Sequence, residues 1–98
     1  MKLSNSSIFN QSASLLKSIG HPIRFQIIRA LSNNQYMTVT ELSELLSLDQ
    51  PVMSLHLAVL RKKDIIHVKK DGKRSFYSIV NNSVKQIVNI TYNTHNTF

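Results

Sequence analysis

The residues with the most usable chemistry fall in one stretch, 50–74. Gln50, Ser54 and His56 are the polar candidates in the N-terminal part of one expected helix, and Arg61 follows two turns beyond Ser54. A glutamine carboxamide offers a donor beside an acceptor, the complement of adenine in a major groove. Ser and His can each make one bond to a base or phosphate. Arg61 suits a phosphate. Immediately downstream runs Val68-Lys69-Lys70-Asp71-Gly72-Lys73-Arg74. Of the chain's 12 Lys and Arg, 7 lie between Arg61 and Arg74, opposed there only by Asp64 and Asp71. Cations concentrated on a short segment bind a polyanion by releasing its counterions. The plainer alternative is that Gln50 and Ser54 solvate a helix surface and that the lysines keep a strand edge from pairing.

Other chemistries find little support. The histidines, His21, His56, His67 and His95, match no zinc-ligand spacing, so no metal site is expected. There is no cysteine, which excludes disulfides, thiol catalysis and thiolate metal centres. The five acids, Glu41, Glu44, Asp49, Asp64 and Asp71, are accounted for by helix surfaces, a cap and a turn. No phosphate loop, nucleophile elbow or dinucleotide-binding turn occurs, so neither an enzyme nor a bound cofactor is expected. No run reaches the roughly 18 apolar residues of a membrane span. The opening MKLSNSSIFNQS lacks a signal peptide's apolar stretch, so a cytoplasmic location and no membrane partner are expected.

These groups need a scaffold, and hydropathy supplies its outline. The 98 residues, with a net charge of +7, suit one domain spanning 1–98. At that size a single core is small, and a second chain would help to cover the remaining apolar surface. Ile8, Phe9, Ala13, Leu15, Leu16 and Ile19 recur at helical spacing over about 6–19, and Gly20 ends that helix. Pro22 opens a second helix. Thr38 to Glu41 open a short third one, with Leu42, Leu45 and Leu46 on its core side. A Ser-Leu-Asp turn follows. Asp49 then caps a fourth helix, with Gln50 and Pro51 in its first turn. The helix-turn-helix is expected over about 40–62.

The period then changes to that of strands over 65–70 and 74–80, joined through Asp71-Gly72, a hairpin signal. Apolar residues return at helical spacing over 82–93, at Val84, Ile87, Val88 and Ile90. The order is therefore α-α-α-α-β-β-α, a mainly α fold with a β-hairpin: a winged helix-turn-helix. The wing covers about 65–80.

The segment LKSIGHPIRFQIIRAL at 16–31 resembles the opening of the ArsR/SmtB family of winged-helix repressors. TELSELL at 40–46, DQPVMSLHLAVLR at 49–61 and FYSI at 76–79 are similar to that family's helix-turn-helix and wing. The resemblance implies a homodimeric repressor of double-stranded DNA. Its recognition helix, 50–62, would read the duplex through Gln50, Pro51, Ser54, Leu55, His56 and Arg61. Its wing would use Lys69, Lys70, Lys73 and Arg74. It also implies a dimer built on the first and last helices, which matches the apolar faces of Ile8, Phe9, Leu15, Leu16, Val84, Ile87 and Val88.

Departures from the pattern matter. Where many relatives carry a metal-sensing Cys-x-Cys pair, this chain has Thr38 and Thr40, poor ligands for soft metals. Asn81 and Ser83 replace the acid and histidine that open the family's second metal site. Leu55 replaces the first residue of a His-His pair in the recognition helix, which predicts an altered base preference. The sequence identifies no effector. A protein-interaction module built on the same fold, with weak or lost DNA binding, is the alternative reading.

Overall fold

The computed structural model describes residues 6–96. Five helices and three short strands follow one another: α1 (Ser6–Ile19), α2 (Pro22–Asn33), β1 (Met37–Thr38), α3 (Val39–Leu46), α4 (Gln50–Lys62), β2 (Ile66–Asp71), β3 (Arg74–Ile79) and α5 (Asn82–His95). The fold is the expected winged helix-turn-helix with one addition. Met37 and Thr38 pair antiparallel with Tyr77 and Phe76, giving a three-stranded sheet ordered β1-β3-β2. Two residues are too few to show an alternating pattern, so only the pairing reveals this strand.

Local signals explain the breaks between helices. α1 stops at Gly20, whose N–H donates to the Leu16 carbonyl at 2.9 Å. His21 then caps α2, its Nδ1 accepting from the Ile23 N–H at 3.1 Å, with Pro22 in the first turn. α3 opens on a capping box: Thr38 Oγ1 accepts from the Glu41 N–H, and the Glu41 carboxylate accepts from the Thr38 N–H at 2.9 Å. It closes on Ser47 in the left-handed region, φ 54°, and this residue makes the tight turn into α4. Asp49 occupies the N-cap of α4 as expected, but its side chain makes no capping bond.

The core lies where α2, α3, α4 and α5 meet the base of the wing. Ile27, Ile28, Leu42, Met53, Leu57, Leu60, Ile65, Val84 and Val88 are enclosed in it. This corrects the assignment of Val84 and Val88 to a dimer face. Both are fully buried within their own chain, because α5 turns that stripe onto α2. Leu15 also packs partly against this core. Arg29 of α2 adds polar ties to α5: its Nη1 donates to Asn89 Oδ1 at 2.6 Å, and its guanidinium lies 3.9 Å from the Tyr92 ring centroid.

The wing is anchored at its root. The Ile65 carbonyl accepts from the N–H groups of both Val80 and Asn81, at 3.0 and 3.3 Å. The strand entering the hairpin is thereby held to the chain leaving it. Asn81 then caps α5, its Oδ1 accepting from the Val84 N–H.

Candidate nucleic-acid interface

α4 divides cleanly into two faces. Met53, Leu57 and Leu60, at i, i+4 and i+7, are buried and hold the helix to the core. Opposite them, Pro51, Leu55, Ala58 and Lys62 form an exposed stripe, with Leu55 at 69% exposure near its centre. Gln50, Ser54 and Arg61 flank this stripe on one side, all exposed; Val52 and Val59 flank it on the other. Lys62 was not among the residues singled out from the sequence. Its position on the outward stripe follows from the helical period once the buried stripe is fixed.

Gln50 is held in place. Its Nε2 donates to Thr40 Oγ1 at 2.9 Å, across the turn from the start of α3. One amide hydrogen is used in this bond. The other hydrogen and the carbonyl oxygen are not used in it and can serve a further donor–acceptor partner. The two threonines at the Cys-x-Cys positions thus have structural work: Thr38 caps α3 and Thr40 positions Gln50. Among the described residues, no group of three or more His, Asp or Glu is placed to hold a metal ion.

His56 departs from expectation. It is half-buried and turns away from the outward stripe. Its ring centroid lies 4.7 Å from that of His21, tilted by 43°, and its Nδ1 lies 3.3 Å from Arg24 Nη1. A guanidinium only donates, so His56 accepts at Nδ1 and carries its proton on Nε2. Burial, reinforced by the neighbouring His21 and Arg24, pushes its pKa below the ordinary histidine value. The Nε of Arg24 donates to the Ser18 carbonyl at the end of α1. The His-Pro-x-Arg and Ser-x-His motifs, 32 residues apart, therefore meet in one seat that fixes α4 against α1 and α2. Arg24 and His21 belong to this seat. Periodicity alone does not identify them, because their contact is between separate elements.

Lys69, Lys70, Lys73 and Arg74 are all exposed on the wing. Gly72 sits at its tip with φ 62°, the left-handed conformation a tight hairpin turn needs. Lys73 and Arg74 line a cleft shared with Thr40 and Glu41 at the start of α3. Bonds from Thr38 hold the Glu41 carboxyl below its ordinary pKa, and Arg74 adds to this. The cationic wing therefore stands beside the threonine that positions Gln50. The fold and this face define a winged helix-turn-helix DNA-binding protein.

Known proteins agree. Residues 21–68 match the family model described as "Bacterial regulatory protein, arsR family". The chain is 34% identical over 82 residues to the uncharacterized HTH-type transcriptional regulator MJ1325 of Methanocaldococcus jannaschii, covering 84% of this chain and 92% of that one. It is 32% identical to the biofilm growth-associated repressor of Xylella fastidiosa, covering 85% and 72% of the two. Its structure is similar to that of reduced HlyU from Vibrio cholerae, with a TM-score of 0.85 and 28% identity, over 95% of this chain and 97% of that one. The protein belongs to the ArsR family of DNA-binding transcriptional regulators. No helix among its described residues is long and apolar enough to cross a membrane.

Proposed function

We propose that the protein works as a homodimer, binds a pseudo-palindromic duplex operator and represses the promoter that the operator overlaps. The observation that carries this reading is the single face on which the outward side of α4 stands beside the cationic wing. One α4 from each protomer would enter a major groove, with the two grooves about 34 Å apart on one side of the duplex. Gln50 and Ser54 would face base edges, while Arg61, Lys62 and the wing cations would meet phosphates. His56 acts indirectly, by seating the helix.

The homodimer has separate support. Only Ser18 and Ile19 of α1 are buried, while Ile8, Phe9 and Leu16 are 62%, 49% and 52% exposed. A helix of this length with its apolar side in water is not stable on its own. On α5, Ile87 and Ile90 are exposed as well. The proposed pairing surface is therefore Ile8, Phe9, Leu16, Ile87 and Ile90, without Val84 and Val88, which are buried, and without Leu15, which packs against the protomer's own core. A regulator that binds genomic DNA works in the compartment that holds it, here the cytoplasm. Repression is supported by the name of the Xylella relative.

Selection of bound duplexes from a random pool at about 150 mM salt, where purely electrostatic binding is weak, tests the proposal. Enrichment of an inverted repeat is the expected result. Recovery of no preferred sequence from folded protein refutes it.

A further inference from the structure

The outward stripe of α4 is unusual for a surface meant to meet a polar groove. Pro51, Leu55 and Ala58 run along it, and Val52 and Val59 widen it on one side. Leu55 is 69% exposed, and Val52 and Val59 are each 37% exposed. The buried side chains that hold α4 to the core are Met53, Leu57 and Leu60, on its opposite face. The strip is also bounded by charge: Arg61 and Lys62 lie at its end, and the cationic wing follows directly in the chain. Its apolar centre and cationic border call for a partner with apolar groups set inside a polyanionic frame. The major groove of A·T-rich DNA has that composition. Each thymine projects a C5-methyl into the groove, between two lines of phosphate. A second copy of this chain fits poorly, because pairing two such strips would bring like-charged borders together on a protein of net charge +7.

Resting on the DNA-binding proposal above, we propose that Leu55, with Val52 and Val59 beside it, reads thymine methyl groups, so that the operator half-site carries thymines opposite the middle of α4. Gln50 complements this reading. Held through one amide hydrogen by Thr40, it keeps the donor–acceptor edge that matches adenine. The helix therefore selects A·T pairs twice, through the purine edge at its N-terminus and through the pyrimidine methyl at its centre.

Deoxyuridine isolates the second element. It pairs with adenine as thymine does and lacks only the methyl. Each thymine of the selected duplex is replaced in turn, and dissociation constants are measured for the wild type and for Leu55→Ala. Leu55 is exposed, so the variant keeps its fold, which circular dichroism checks. At one or two positions per half-site, the wild type should lose about fourfold in affinity per methyl removed, the worth of one buried methyl-sized group. Leu55→Ala should bind the thymine duplex more weakly and show little further loss with deoxyuridine. An enriched duplex on which deoxyuridine has no effect at any position overturns the inference and leaves the DNA-binding proposal intact. Equal deoxyuridine penalties in wild type and variant overturn it as well, since the methyl would then act through duplex shape. Failure to enrich any duplex removes the DNA-binding proposal, and this inference with it.

Discussion

Neutralising Lys73 gives a quantitative test of the wing. Lys69, Lys70, Lys73 and Arg74 are exposed and flank the Gly72 turn, giving four cations per protomer and eight in a dimer. If each meets one phosphate, the logarithm of affinity should fall against the logarithm of salt concentration with a wing contribution of about −7. Lys73→Gln removes two of the eight contacts and should flatten the slope by about 1.8. Between about 50 and 200 mM salt, the wild type then loses roughly tenfold more affinity than the variant. Fluorescence anisotropy of a labelled operator, titrated at four or five salt concentrations, measures both slopes. The variant should weaken binding to unrelated duplexes in equal proportion, because phosphates carry no sequence. Its thermal unfolding should be unchanged, since the side chain is exposed in the turn. A slope unchanged to within about 0.5 would refute the phosphate role of the wing tip.

Three other outcomes follow from the geometry. Gln50→Ala should cost about 1–3 kcal/mol on the selected operator and little on random duplex, measured by competition binding; equal losses on both would contradict a base contact. Leu57→Ala empties a fully buried site and should lower stability by about 2–5 kcal/mol in urea unfolding, with less than about 1 kcal/mol showing that the core had collapsed around it. Stability should also fall as pH drops below about 6.5, because the depressed native pKa of His56 means that the unfolded chain takes up its proton first. His56→Gln should flatten this limb, and urea midpoints unchanged from pH 7.5 to 5.5 in the wild type would count against the seat. The acid limb due to Glu41, also depressed, begins only below its ordinary value of 4.5, so the two separate.

Much of this was legible in advance because it depends on short-range pattern. Helical periodicity marks five helices, Asp71-Gly72 marks the wing turn, and Pro22 marks the start of α2. What escaped depends on which side of an element meets its neighbours. β1 exists only through its pairing with β3. Val84 and Val88 share an apolar helix with Ile87, and no sequence pattern states which stripe the protomer keeps for itself. His56 is a polar residue on a helix with polar neighbours, and the sequence alone groups it with Gln50 and Ser54. Its contact with His21 and Arg24 shows a different role, and the signal was available only as two motifs with no visible connection. Thr40 likewise reads in sequence only as the absence of a metal ligand, whereas in the fold it accepts a bond from Gln50.

The division of α4 into an inner and an outer face bears on how such a protein changes over generations. The residues that attach the helix, Met53, Leu57 and Leu60, are distinct from those that face outward, Pro51, Leu55 and Ala58. On the proposed reading, a substitution in the outer set changes operator preference at little cost to folding, since exposed positions away from such anchors usually shift stability by less than about 0.5 kcal/mol. A duplicated copy can therefore drift toward a new operator through folded intermediates at every step.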